Sequence, residues 1–378
     1  MISNSVESQS YNLDIIQEKC FEKQIPFVSY RLPGKEIITS FVQKDRSLHS
    51  INSYKDIEKE QGFVFFSFRV SCTIPSFLIK PDLKFEGSFI DEEIIEFTNF
   101  ESKKNYKIDV FQTTSKNDYK HNVAKAVSTI SDSEISKIVI SRVLERKTSN
   151  DFNPFKFYKA LCGKYTHAFT YIIYHPEIGM WAGASPEILV SVEKEKIHAV
   201  ALAGTQKKEN KNLEDIKWES KEIVEQEIVA DFVYNCLQNN DTKDLIRHQT
   251  KSFEAGNLVH IITNFEAEAR ANFSLGNLVK RLHPTPSVSG QPKKESIEFI
   301  NASENHNREY YCGFMGPINN NEHTNLFVNL RCMKICNNSL ALYVGAGITK
   351  DSDPEKEWIE TDEKAKTLLS VIEHVTKK

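Results

Sequence analysis

Leu340-Ala341-Leu342-Tyr343-Val344 runs into Gly345-Ala346-Gly347-Ile348, and Asp353-Pro354-Glu355-Lys356-Glu357-Trp358-Ile359-Glu360 follows, then Lys364. The stretch reads as a strand, a small-residue turn and a helix. Leu340 to Val344 is short, apolar and partly β-branched, as a buried strand would be. Glycines at 345 and 347 let a ligand approach the backbone closely. Pro354 suits the first turn of a helix, and Asp353 is a good cap before it. Glu357, Glu360 and Lys364 are spaced i, i+3, i+7 and share one helix face. Two carboxylates and an ammonium beside a glycine turn suit a hard cation and an anionic ligand together. Taken alone, such a trio is as readily a solvated helix face.

A second helix, Trp218 to Leu237, carries a matching pair, Glu222 and Glu225, again i, i+3. Val224, Ile228, Phe232, Val229, Val233, Cys236 and Leu237 are expected to bury one side. If the two helices face each other, their carboxylates make a Mg²⁺ site with room for waters and a substrate carboxylate, one glutamate from each helix binding directly.

Upstream, a helix is predicted at 117–130 and a strand from Ser136 to Arg146, with Lys137, Val139 and Ser141 on one face. A lysine at a strand start is usually on the surface. If this face is buried, Lys137 loses affinity for its proton and becomes a candidate general base. Phe169–Tyr174, Gly179–Ala182, Glu187–Val192 and Lys196–Leu202 read as an antiparallel meander closed by Ala203-Gly204-Thr205. Glu187 follows a Ser-Pro turn beside Gly183 and Ala184, so it is either a solvent-facing strand residue or an acid facing a pocket. Val259–Glu268, Tyr310–Pro317 and Leu326–Ile335 are further strands, Leu275–Leu282 and 292–304 are helices, and 283–290 is a rigid loop. Arg331, in an otherwise apolar strand, is an edge charge or a buried carboxylate clamp. In the first third, 11–22 has helical character and Phe27–Tyr30, Glu36–Val42 and Gly62–Val70 read as strands. Residues 99–116 read as a connector.

The chain has 378 residues, 40% hydrophobic and 26% charged, an ordinary globular composition. A net charge of −4 gives no reason to expect nucleic acid or an anionic membrane as partner. No apolar run is long enough to span a bilayer, and Met1–Ser10 lacks the pattern of a secretory signal. Seven cysteines without a CxxC pair point to reduced, buried thiols and a cytoplasmic location.

Together these pieces resemble the chorismate-utilising enzymes, which include isochorismate synthases, salicylate synthases, the large subunit of anthranilate synthase and aminodeoxychorismate synthase. The matching text is Lys137-Ile-Val-Ile-Ser-Arg142, Gly183-Ala-Ser-Pro-Glu187, Leu202-Ala-Gly-Thr205, Lys221-Glu-Ile-Val-Glu225, His283-Pro-Thr-Pro286, Arg308-Glu-Tyr-Tyr311-Cys-Gly313 and the opening stretch, in family order. It covers 116–372, the motif-bearing part, while 1–115 is scaffold within a single domain spanning 1–378. The resemblance implies an α+β fold, a large single domain of antiparallel β-sheets flanked by helices, with a Mg²⁺-dependent site for chorismate. By motif position Glu225 and Glu360 would bind the metal, with Glu222 and Glu357 behind them. Arg331, Lys364 and the Gly345 backbone would hold the substrate's carboxylates, and Tyr343, Thr205, His260, Ser287 and Val288 would line the pocket.

The ammonia-using branches lack a lysine where this chain has Lys137. Aminodeoxychorismate synthases commonly carry a nucleophilic lysine where this chain has Ala203. Both positions imply water as the nucleophile, with Lys137 as base and Glu187 as acid, giving isochorismate. A salicylate synthase, which goes on to eliminate pyruvate, shares the same residues, and a non-catalytic chorismate-binding relative is the third reading. No amidotransferase subunit is expected, and a monomer is favoured. Gln226 departs from the family's frequent histidine, Gln206 from a frequent arginine, and Ser287–Gln291 is more polar than usual.

Overall fold

The computed structural model describes residues 13–69, 73–87, 111–148, 152–208, 212–320 and 322–376. The expected strand end at Val70, residues 11 and 12, and most of the 99–116 connector lie outside them. In chain order the first elements are α1 (Leu13–Glu22), β1 (Phe27–Arg31), β2 (Thr39–Val42), β3 (His49–Ile51), β4 (Gly62–Phe66), β5 (Ser76–Ile79) and β6 (Leu83–Glu86). Then come α2 (Lys116–Ser131), β7 (Lys137–Lys147), α3 (Pro154–Lys164), β8 (Phe169–His175), β9 (Gly179–Ser185), β10 (Ile188–Glu193), β11 (Lys196–Lys207) and α4 (Ser220–Leu237). The rest are β12 (Thr242–Arg247), β13 (Lys251–Ala255), β14 (Leu258–Ala269), α5 (Leu275–Leu282), β15 (Gly290–Gln291), α6 (Lys293–Ser303), β16 (Phe314–Ile318), β17 (His323–Val328), β18 (Cys332–Ile335), β19 (Ser339–Ile348) and α7 (Pro354–Thr376).

The strands form two sheets, ordered β15-β7-β19-β18-β9-β8-β1-β2-β6 and β12-β14-β11-β10-β17-β16-β4-β5-β3, with β13 also on β14. Every pairing among the described residues is antiparallel. This is the expected α+β architecture.

Period-two alternation in β8 shows how the layers stack. Phe169, Tyr171 and Ile173 enter a core shared with the second sheet, while Ile172 and Tyr174 enter a core shared with α1, α3 and α7. Both faces of the strand are covered, so its sequence is apolar almost without break. Between the sheets Phe169 stacks on Phe327 at 4.1 Å and Tyr30 meets Phe63 at 5.3 Å. Each such ring contributes about 1.5–3 kcal/mol by burial.

The expected meander is divided. β8 and β9 belong to the first sheet and β10 and β11 to the second, so Ser185-Pro186-Glu187 is a crossing between layers. Likewise the expected strand 326–335 is two strands, β17 in the second sheet and β18 in the first, joined through a second crossing at 329–331. Alternation reports which face a side chain occupies, and it carries no information about which sheet holds the strand. The two crossings lie side by side: the Ala184 amide donates to the Arg331 carbonyl at 3.0 Å and the Val328 amide to the Glu187 carbonyl at 3.0 Å.

Two local expectations also change. Gly345-Ala346-Gly347 is not a turn but the end of β19, paired with β7 as far as Ile348–Ile138. Ala203-Gly204-Thr205 does not close β11; it is a bulge, with Gly204 at φ +65°. A Cβ at Gly204 would lie 3.1 Å from Glu222 Cβ, so glycine there lets α4 settle on the strand.

Candidate active site

Two helix N-termini and the crossings converge over β7, β11 and β19. Asp353 Oδ1 accepts from the Glu355 and Lys356 amides at 3.0 and 2.9 Å, which fixes the start of α7 directly after β19. Helix α4 lies against β11 and β14, burying Val229, Val233, Cys236 and Leu237. Val224, expected on the buried side, is 53% exposed. The inward face of the first turns is polar there: Gln226 is buried and donates to the Ala201 carbonyl at 3.1 Å and to Thr263 Oγ1 at 3.0 Å.

Lys137 is fully buried, and its Nζ lies 2.9 Å from Glu225 Oε1. The contact is an ion pair whose geometry falls short of a hydrogen bond, so the ammonium lacks a fully formed hydrogen-bond partner. A Cβ at Gly347 would collide with Glu225 Oε1 and come within 2.9 Å of Lys137 Cε. The glycine therefore makes room for the pair rather than for a turn. Burial alone would raise the Glu225 carboxyl, but the charges of Lys137 and Lys221 reverse that and hold it low.

Glu187 sits at the first crossing, 2% exposed. Ser287 Oγ donates to its Oε1 at 2.7 Å. Burial pushes its pKa up to about 7, against the opposing pull of that hydrogen bond and of the Lys137 and Lys364 charges. Arg331, at the second crossing, is a buried guanidinium with φ +48°. It donates to Thr367 Oγ1 at 3.0 Å and to His260 Nε2 at 3.3 Å, and it has no carboxylate partner among the described residues. Burial lowers its pKa to about 10, still charged at neutral pH. His260 is held neutral: burial and then the Arg331 charge bring it down to about 3. Its Nδ1–H donates to the Gly204 carbonyl at 2.9 Å, leaving Nε2 to accept from Arg331.

Glu187, Thr205, Glu225, His260, Ser287, Val288, Arg331, Tyr343, Gly345 and Lys364 line one cavity, so the structure brings together ten of the fourteen expected residues there. Lys137 stands behind Glu225 and Gly347, which line it. Glu222, Glu357 and Glu360 line an adjoining acidic cleft between α4 and α7. Lys364 links the two, donating to the Gly345 carbonyl at 2.9 Å and to Glu360 Oε1 at 2.6 Å. The Tyr343 hydroxyl is turned to Glu309 Oε1, 3.3 Å away, leaving only ring and backbone for the cavity. Tyr311, not assigned a role from sequence although it lies in a quoted motif, also lines the cavity, and its hydroxyl oxygen would lie 2.9 Å from a Cβ at Gly345.

The donor set suits a hard cation. Among the described residues no three acidic, imidazole or thiolate side chains converge as a closed ligand set. Instead Glu225, Glu357 and Glu360 are each met by an ammonium, from Lys137, Lys221 and Lys364. Glu222 Oε2 and Glu357 Oε2 are buried without a hydrogen-bond partner. Burial and the neighbouring Glu360 charge push Glu357 up to about 7. Such an all-oxygen, under-compensated cleft fits Mg²⁺, which keeps several waters and takes few carboxylates.

The sequence profile of a family described as chorismate binding enzyme matches residues 81–373. The chain is 26% identical over 255 residues to isochorismate synthase EntC of Escherichia coli K12, covering 66% of this chain and 65% of that protein. It is 28% identical over 267 residues to anthranilate synthase component 1 of Aquifex aeolicus, covering 68% of this chain and 53% of that protein. It thus spans about half to two thirds of the length of these curated relatives. The fold is that of MenF, the menaquinone-specific isochorismate synthase of E. coli, with TM-score 0.77 at 20% identity over 94% of this chain and 91% of that one. Among the described residues no helix is long and apolar enough to cross a membrane. By profile and fold together, the chain belongs to the chorismate-binding enzymes.

Proposed function

We propose that the protein is an isochorismate synthase, converting chorismate reversibly to isochorismate with Mg²⁺ as cofactor. The observation that carries this reading is the pairing, around one cavity, of a buried lysine with a glutamic acid held protonated near neutral pH. Water becomes a good nucleophile only when a base takes its proton, and hydroxide leaves only when an acid protonates it. Lys137, in its neutral form, accepts the proton of a water that attacks ring carbon C2. The two ring double bonds shift, and Glu187 gives its proton to the C4 hydroxyl, which departs as water. One water enters and one leaves, so the reaction is an isomerisation. In the reverse direction the two residues exchange roles.

Ser287 occupies one oxygen of Glu187 as a donor, leaving the other oxygen to carry the proton toward substrate. Arg331, with no carboxylate partner among the described residues, binds a substrate carboxylate, and His260 holds the guanidinium without competing for the charge. Gly345 and Gly347 keep the ring close to the strand. Held by Glu225 and Glu360, with Glu222 and Glu357 behind them, Mg²⁺ when bound supplies charge that neutralises the ring carboxylate. Water as nucleophile makes an amidotransferase subunit unnecessary. We take the enzyme to act as a cytoplasmic monomer, supplying isochorismate for menaquinone or catechol siderophore synthesis.

The test is incubation with chorismate and Mg²⁺, with and without EDTA, followed by chromatography. An approach to an equilibrium mixture with isochorismate, without pyruvate, is expected, and EDTA should stop it. Salicylate with stoichiometric pyruvate would show a salicylate synthase. Chorismate binding with no product in either arm would show a non-catalytic relative.

A further inference from the structure

We propose that Arg308 is a positioning residue that sets the separation between base and acid; the inference rests on the roles of Lys137 and Glu187 given above. The short strand β15 pairs with β7 only at Gly290–Ile138 and Gln291–Lys137. The Val139 amide adds one more bond, to the Ser289 carbonyl at 2.9 Å. Beyond it Arg308 bridges the two segments through the Val139 and Val288 carbonyls. Its Nη2 donates to the Val139 carbonyl at 2.7 Å and its Nη1 to the Val288 carbonyl at 2.8 Å. Val139 is two residues from Lys137, and Val288 follows Ser287, the donor to Glu187. One planar group therefore spans the strand that carries the base and the loop that braces the acid.

The guanidinium is itself held rigidly. It is 3% exposed and pairs side-on with Glu304, Nε to Oε2 at 2.8 Å and Nη2 to Oε1 at 2.5 Å. Glu304 Oε1 also accepts from the amide and hydroxyl of Ser141 on β7, at 2.7 and 2.9 Å. The ring of Phe68 lies 4.7 Å below. A lysine has a single nitrogen and no planar fork, so it cannot hold both carbonyls at fixed spacing while pairing side-on with Glu304. The charged and titratable groups around Arg308 are Glu304, His306, Arg69, Tyr311 and Cys312. Those facing Glu187 are Lys137, Lys364 and Cys312, with Ser287 as its donor.

The test compares wild type, Arg308→Lys, Ser287→Ala, the double variant, and Glu304→Gln, which leaves both carbonyl contacts in place. Arg308→Lys is expected to lower kcat about 10- to 100-fold, with KM for chorismate little changed. Loosening the loop weakens the Ser287 bond that favours the Glu187 carboxylate, so the high-pH fall of kcat/KM moves to higher pH. Ser287→Ala should move it the same way, and the double variant no further than the larger single effect. Glu304→Gln loosens the brace on the guanidinium but keeps both carbonyl contacts, so it should lower Tm and shift the pH profile by less than Arg308→Lys does; an equal shift would overturn the proposal. Hydrogen exchange over residues 283–291 should rise in Arg308→Lys. A pH profile superimposable on wild type, or unchanged exchange in that loop, would overturn the proposal. Should Arg308→Lys not fold, an unmoved profile in Ser287→Ala overturns it instead. Were wild type inactive on chorismate, the functional reading would fall on its own, and exchange in the loop would still decide whether Arg308 tethers it.

Discussion

Glu187→Gln should make the protein more stable at pH 8 while abolishing turnover. The carboxyl titrates at about 7 when folded, because burial outweighs Ser287, Lys137 and Lys364, against an ordinary value of 4.5. Between those values the folded chain keeps a proton that the unfolded chain has released. Wild type therefore loses stability as pH rises from 4.5 through 7. At about 1.36 kcal/mol per pH unit the full loss is about 3 kcal/mol. Glutamine is isosteric, can still accept from Ser287 and does not ionise. The variant should match wild type near pH 4.5 and exceed it by about 3 kcal/mol at pH 8. Groups that do not face Glu187 titrate alike in both proteins and cancel in the difference. Urea denaturation at pH 4.5, 6 and 8 reads it directly, and chorismate turnover at pH 7 reads the catalytic loss. A stability difference flat with pH would refute the argument that the pocket holds this acid protonated.

Lys137→Ala should reduce turnover by a factor of about 10²–10⁴ while chorismate still binds, as calorimetry would show. It also strips Glu225 of a counter-charge, so Tm should fall, and Mg²⁺ should raise it by more than in wild type. Gly347→Ala should cost about 1–3 kcal/mol through overpacking, and more in kcat than in binding, because its methyl group collides with Glu225 and crowds Lys137; far-UV circular dichroism should stay unchanged. Arg331→Met should weaken chorismate binding by about 10- to 100-fold, with a smaller effect on kcat, measured by titration and steady-state kinetics.

Much of this site was legible before the fold was. Asp353-Pro354 sets the start of α7, and i, i+3 spacing places Glu357 and Glu360 on one face; both follow from local geometry alone. Lys137 was ambiguous because its burial depends on α4, nearly ninety residues further along the chain. Gly347 reads as part of a turn because a glycine that admits a neighbouring side chain looks in sequence like one that turns the chain. The crossings at 185–187 and 329–331 were invisible for a similar reason, since a strand changing sheets keeps the same alternation. The hydrophobicity of Val224 predicts an inward position, yet the inward positions of that turn belong to Gln226 and the carboxylates. Arg308 carried no periodic signal, because its two carbonyl partners are fixed only once β7 and the 283–290 loop meet.

The paired crossings have a kinetic corollary. Glu187 and Arg331 are presented only where the chain passes from one layer to the other, so neither sheet alone holds the acid and the anion clamp in register. During refolding, activity should return in the same phase as burial of the interlayer aromatics Phe169 and Phe327, and no partially docked species should turn over chorismate. Catalysis would then serve as a clock for sheet docking: a phase that restores secondary structure without restoring activity marks layers formed and not yet joined.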